Sequence, residues 1–234
     1  LLERCAVVGA TIAREGGEFR VIERAVALGG QMLNLQGLGA RYDEIFLPLH
    51  GEHQAQNAAV ALAAVEAFLG AGHSKELSID IVREGFANVD SPGRLERVRH
   101  APTILVDGAH NPHGMAATVK AVEDEFMFRN LVGIVAMLGD KDVEGVLELL
   151  EPVLSEIIVT RNSSPRCMAP EELAQIADEI FGEDRVHVLP NMPDAIERAV
   201  ELAESDTEGG MSGVGVLITG SMVTVADARA LLKR

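Results

Sequence analysis

Aromatic residues are scarce in this sequence, with no Trp, one Tyr and seven Phe among 234 residues. A core of any size must therefore be built from Ala, Val, Leu and Ile, the bulk of a 47% hydrophobic composition. Lysine is also rare, at four residues, and the formal net charge is −16. So acidic a surface repels phosphate backbones and anionic lipid, which argues against nucleic acid or a membrane as partner. No apolar run approaches the roughly eighteen residues that a membrane-spanning helix needs. The two cysteines, Cys5 and Cys167, lie far apart with no signal peptide ahead of them. They read as thiols in a reducing cytoplasm, not as a disulfide. No Gly-Lys dipeptide occurs, so there is no Walker A loop. Without a G-x-S-x-G or C-x-x-C pattern, hydrolase and dithiol chemistry have no support.

What is present is an ordinary folded composition, 24% charged, with two rhythms along the chain. From Arg4 to about Leu49 the pattern predicts short strands at Cys5–Ala10, Phe19–Ile22, Gln31–Leu35 and Ile45–Leu47. Gly16-Gly17 and Gly29-Gly30 punctuate them as hairpins. His53 to Leu69 predicts a helix with Ala58, Leu62, Val65 and Leu69 on one face. A second helix over Ser78–Ala87 leads into the turn-forming stretch Asn88–Arg94, the candidate domain boundary.

Beyond it, apolar β-runs at Thr103–Val106, Leu131–Leu138, Glu156–Val159, Val186–Leu189 and Val214–Ile218 alternate with helical segments. Val143, Val146, Leu147 and Leu150 share a face, as do Leu173, Ile176, Ala177 and Ile180, and Ile196, Ala199, Val200 and Ala203. Such alternation predicts βαβ units and a parallel sheet covered on both faces. Ser205–Gly215 reads as a flexible surface loop. Ligands of open α/β sheets bind beyond the carboxyl ends of the strands, so the residues there carry the functional interest.

Asp107-Gly108-Ala109-His110-Asn111-Pro112 follows a strand and opens a helix, with Asn111 as cap and Pro112 at the first helical position. It reads either as a turn organised by Asp107 and Asn111, or as an acid and an imidazole beside an anion-binding helix N-terminus. Thr219-Gly220-Ser221 ends the last strand, where Gly220 permits close backbone approach and Ser221 caps a helix or donates to an anion. Gly139-Asp140-Lys141-Asp142 equally suits a capped, solvated turn. Asn57 lies one turn into the first long helix, facing either a ligand or solvent. Arg94 sits at the domain junction, where it would be a surface ion-pair partner or a bidentate phosphate ligand. His50/His53 and His110/His113 are distant pairs with no cysteine beside them, so no metal site is expected within this sequence.

In order, G-x-H-Q-x-x-N-A at 51–58, P-G-R-L-E at 92–96, D-G-A-H-N-P at 107–112, L-G-D-K-D at 138–142 and T-G-S at 219–221 resemble the folylpolyglutamate synthases, relatives of the Mur peptidoglycan ligases. The resemblance runs from about Leu47 to the end and rests on five motifs in register. It implies a Rossmann-like, mostly parallel α/β sheet with helices on both faces over 92–234. Residues 1–91 would then be the last strands and helices of a truncated ATPase domain. The implied reaction joins L-glutamate to a folate through an acyl phosphate made with ATP, and in some members forms dihydrofolate from dihydropteroate.

By motif position, Asn57, Arg94 and Asp107 would contact ATP, with Arg94 reaching the phosphates. Asp107, His110 and Ser221 would serve the glutamate site. His53, Lys141 and Asp142 match family motifs without an assigned role. The P-loop and the Mg2+ ligands would lie upstream of Leu1, so the chain, which opens without Met, is expected to be a fragment inactive by itself. A cytoplasmic monomer acting on folate, L-glutamate and ATP is the expectation. The rivals are a Mur-type peptidoglycan ligase domain and a non-catalytic Rossmann-like binding module. Gly108-Ala109 between Asp107 and His110 favours the folate branch over the first; the coincidence of Asn57, Arg94 and Asp107 argues against the second.

Overall fold

The computed structural model describes residues 2–70, 76–205 and 213–233. The chain divides into two compact units, Leu1–Asp90 and Ser91–Arg234.

In the first unit, helix α1 (Leu2–Val8) precedes strands β1 (Arg20–Ala27), β2 (Gly30–Gln36) and β3 (Arg41–Leu47), which form an antiparallel sheet in that order. Helices α2 (Glu52–Phe68) and α3 (Ile79–Ala87) follow. The run Cys5–Ala10, expected as a strand, belongs instead to α1 and the turn after it. No residue of α1 is buried, so no packing partner imposes a strand period on that short apolar stretch. Ala27 pairs with Gly30, and the intervening Leu28-Gly29 makes the tight connection, with Gly29 at φ 79°. A side chain at Gly30 would meet the Leu47 carbonyl oxygen at 2.2 Å, so the β2–β3 pairing requires glycine there.

Helix α2 turns Ala55, Ala58, Ala59, Leu62 and Ala63 inward, with Gln54 and Glu66. Its expected apolar face holds at Ala58 and Leu62 but not at Val65 and Leu69, which are about half exposed. Those two, with Ile81 and Val82 of α3, line an open apolar groove. The buried Glu66 carboxylate accepts hydrogen bonds from the Tyr42 hydroxyl at 2.8 Å and the Gly39 N–H at 3.1 Å, anchoring the β2–β3 turn.

The second unit contains β4 (Glu96–His100), β5 (Thr103–Val106), α4 (Pro112–Glu125), β6 (Asn130–Val135), α5 (Val143–Leu150), β7 (Glu156–Val159), α6 (Pro170–Phe181), β8 (Val186–Val188), α7 (Met192–Ser205), β9 (Val214–Thr219) and α8 (Met222–Leu232). The sheet order is β4-β5-β9-β6-β7-β8. Only β4 runs antiparallel to its neighbour; the pairings among the other five strands are all parallel. Every residue of β6 and β9 is buried, as befits central strands covered on both faces.

One core joins the sheet to α4, α5 and α6 through Met115, Val122, Val146, Leu147, Leu150, Leu173 and Ala177. The other joins it to α7 and α8 through Ala195, Ala199, Leu202, Val225 and Ala228. This is the mostly parallel α/β architecture that the strand-helix alternation predicts. The expected loop at Ser205–Gly215 lies for the most part outside the described residues; Val214 and Gly215 are in β9.

Candidate active site

Strand β9 lies between β5 and β6, and all three run parallel. Their carboxyl ends therefore share one edge, with Thr219-Gly220-Ser221 between Asp107-Gly108-Ala109-His110 on one side and Gly139-Asp140-Lys141 on the other. After the edge strand β8 the chain turns back to insert β9 between β5 and β6, with α4 packed on one face and α7 and α8 on the other. A crevice at such a point is where open α/β sheets take their ligands.

Asp107 is buried, and its carboxylate organises the edge. Oδ2 accepts from the Leu95 N–H at 2.8 Å; Oδ1 accepts from the Ala109 N–H at 2.9 Å and the Thr118 hydroxyl at 2.8 Å. Its first task is thus to bind the Arg94 turn, the following loop and α4 together. Gly108 N–H reinforces this by donating to the Gly93 carbonyl at 2.9 Å. No local pattern marks Leu95 or Thr118 as partners of Asp107; only the periodicity of α4 could have placed Thr118 inward.

His110 is half-buried, and its Nδ1 lies 3.0 Å from the Gly108 carbonyl oxygen. A carbonyl can only accept, so this contact places the proton on Nδ1. Nε2 is then an acceptor in the neutral ring and a second donor in the imidazolium. Such a ring can accept from an ammonium group, or pair with a carboxylate once charged. Asn111 caps α4 by accepting from the Gly114 N–H at 2.9 Å, with Pro112 following it.

Ser221 is buried and caps α8, its Oγ accepting from the Val223 N–H at 3.1 Å while the hydroxyl proton remains available to donate. Gly220 has φ 104°, and a Cβ there would lie 2.8 Å from the Ala136 carbonyl oxygen. Met222 closes the group: its Sδ would meet a Cβ on Gly108 at 2.1 Å, and its Cε one on Gly93 at 3.3 Å. The three motifs at 92–96, 107–112 and 219–221 are therefore one packed assembly.

Arg94 is exposed, and its guanidinium has no ion-pair or hydrogen-bond partner among the described residues. The alternative of a surface ion pair with a neighbouring glutamate does not apply to it. Asp142 caps α5 by accepting from the Gly145 N–H at 3.1 Å. Lys141 lies 3.8 Å from Asp140, which also holds Arg166 at 2.5 Å. Asn57 and His53 belong to the first unit, on α2; Asn57 is exposed and donates to Gln54 Oε1 at 3.1 Å. Among the described residues no three His, Cys, Asp or Glu side chains converge as a metal would require.

Known proteins resemble this chain in sequence and in fold. The chain is 52% identical over 240 aligned residues to a dihydrofolate synthase/folylpolyglutamate synthase of Mycobacterium tuberculosis, covering all of this chain and 49% of that one. It is 29% identical over 195 residues to the enzyme of the same name from Bacillus subtilis, covering 82% and 42%. A crystal structure of the Mycobacterium tuberculosis folylpolyglutamate synthase complexed with ADP and AMPPCP superposes with a TM-score of 0.94 at 51% identity, covering 100% of this chain and 52% of that one. The chain thus spans about half the length of the relatives it matches. Residues 93–222, more than half of the sequence, match the family described as "Mur ligase, glutamate ligase domain". The chain belongs to the Mur ligase family, through its glutamate ligase domain.

Proposed function

We propose that this chain is the carboxyl-terminal half of an ATP-dependent ligase that joins L-glutamate to a folate. Residues 1–91 would complete an ATPase domain whose P-loop and Mg2+ ligands come from preceding sequence, and 92–234 would form the glutamate ligase domain. The observation that carries the reading is the convergence of Arg94, Asp107, His110 and Ser221 in one assembly at a sheet edge. No packing role explains an exposed arginine, without a partner among the described residues, on a turn so firmly held. The 52% identity to a dihydrofolate synthase/folylpolyglutamate synthase supports folate as substrate over a peptidoglycan precursor.

In the proposed reaction the γ-phosphoryl group of ATP passes to a folate carboxylate oxygen, giving an acyl phosphate and ADP. The glutamate amine, having lost a proton, attacks the acyl carbon; the C–O bond to phosphate breaks and inorganic phosphate leaves. Arg94 would pair with the phosphoryl oxygens as charge builds there, and Asn57 would contact the nucleotide. His110, the Ser221 hydroxyl and the N-terminal N–H groups of α4 and α8 would receive the glutamate. Those N–H groups offset locally the −16 charge of the chain, which otherwise repels anionic substrates. Asp107, saturated by its own chain, would act mainly by fixing both halves of the edge. Lys141 would add positive charge beside them, and cytoplasm is the expected compartment.

The test is ADP release by the full-length protein with ATP, folate and L-glutamate. Release that depends on both the folate and the glutamate is expected, with none from residues 1–234 alone. Turnover by the 234-residue chain would refute the claim that half of the site lies elsewhere.

A further inference from the structure

Among the described residues Arg94 has no side-chain tether, so its position is set by the backbone beneath it. That backbone is unusual: Gly93 and Leu95, on either side, both have positive φ, at 75° and 45°. A leucine is disfavoured in this left-handed conformation, so something must hold the turn. Two carboxylates do. The Leu95 N–H donates to Asp107, and the Gly93 N–H donates to Glu96 Oε2 at 2.8 Å.

Glu96 is itself fixed from the far end of α8. Lys233 donates to its Oε1, and Arg229 Nε lies 2.9 Å from Oε2, outside hydrogen-bond alignment, so that contact is electrostatic. The Glu96 side chain is only 14% exposed. This arrangement has a second consequence. Glu96 is the nearest acid in sequence to Arg94, and a free carboxylate two residues away would neutralise the guanidinium. Because Lys233 and Arg229 already occupy it, Arg94 stays unpaired and open to an anion.

We propose that Glu96 is a positioning residue for Arg94, holding its turn through the Gly93 N–H while Arg229 and Lys233 keep the carboxylate from capturing the guanidinium. This rests on the reading of Arg94 as the phosphoryl-binding arginine. The experiment is a double-mutant cycle in the full-length ligase, measuring kcat, both KM values and melting temperature. Glu96→Ala lowers kcat by about three- to tenfold, the worth of one hydrogen bond, and Glu96→Gln, whose amide oxygen still accepts from Gly93, recovers part of the loss. In the Arg94→Ala background Glu96→Ala costs nothing further, because its target is gone.

Lys233→Ala, which frees Glu96 to turn toward Arg94, also lowers kcat in the wild-type background only. Should Glu96→Ala fail to fold, Glu96→Gln and Lys233→Ala carry the same cycle. Losses that multiply in the double variant would reduce Glu96 to a stability role and overturn the inference. A loss in Arg94→Ala with none in the Glu96 and Lys233 variants overturns it too, leaving the phosphate reading intact. Unchanged turnover in Arg94→Ala would refute that reading, and a functional role for Glu96 with it.

Discussion

Replacing Gly220 by alanine should damage the second unit out of proportion to one methyl group. Its φ of 104° is one that side-chain-bearing residues rarely adopt, and forcing it costs about 1–3 kcal/mol. The added Cβ would also lie 2.8 Å from the Ala136 carbonyl oxygen and 2.8 Å from Met137 Cγ. Neither can retreat easily. The Ala136 oxygen accepts from the Thr224 hydroxyl at 2.7 Å, and both residues are fully buried. Overpacking of this kind costs about another 1–3 kcal/mol. The expected total of about 2–6 kcal/mol is a large share of the 5–15 kcal/mol typical of a domain. Urea unfolding followed by far-ultraviolet circular dichroism should show the midpoint falling by about 1 M or more. Gly139→Ala is the control, because a Cβ there meets nothing within 4 Å; its stability should stay within about 0.5 kcal/mol of the parent. If Gly220→Ala were as stable as Gly139→Ala, the close approach of β9 to β6 at this edge would be wrong.

Burial alone would raise the Glu96 carboxyl, but Lys233, the Gly93 N–H and Arg229 outweigh it and hold it below its ordinary value of 4.5. Its contribution is present above the unfolded value and lost as pH falls through the lower folded one, so the urea-midpoint gap between the parent and Glu96→Gln should close on acidification; a pH-independent gap would contradict this. Burial and the Glu66 carboxylate, opposed by the Leu77 N–H, push the Tyr42 hydroxyl from 10.0 up to about 12. Since Tyr42 is the one tyrosine and there is no Trp, ultraviolet absorbance should show phenolate appearing at ordinary alkaline pH only after unfolding. In the full-length ligase Arg94→Ala should lower turnover about ten- to a thousandfold with an unchanged melting temperature, and Arg94→Lys should recover little, as an ammonium lacks the bidentate fork.

The parallel sheet was legible because its strands are short, bounded apolar runs separated by helices of clear period. Val146, Leu147 and Leu150 are fully buried where the spacing places them. The amino-terminal stretch was not legible. Cys5-Ala6-Val7-Val8 suits a strand as well as a helix, and with no buried face only the local backbone decides. Val65 and Leu69 misled for a related reason: they share a face with Ala58 and Leu62, but the buried side of α2 follows Ala55, Ala59, Ala63 and Glu66, and these two border the open groove beside α3. At the candidate site Gly220 announced a close approach and makes one; Gly93 and Gly108 are as tightly packed, which the sequence did not announce. The long-range polar contacts left no trace in the sequence. Nothing local ties Glu96 to Lys233 at the other end of the unit, or Leu95 to Asp107.

The decisive property of this sheet edge is whether it receives the amino acid. Steady-state kinetics of His110→Ala and Ser221→Ala in the full-length ligase, with L-glutamate, ATP and folate each varied in turn, address that directly. On the proposed placement each variant would remove one hydrogen bond to a charged group, worth about 1.5–3 kcal/mol. The KM for L-glutamate should therefore rise about ten- to a hundredfold while those for ATP and folate stay nearly constant. An unchanged glutamate KM, or a rise confined to ATP, would contradict the placement of glutamate between His110 and Ser221.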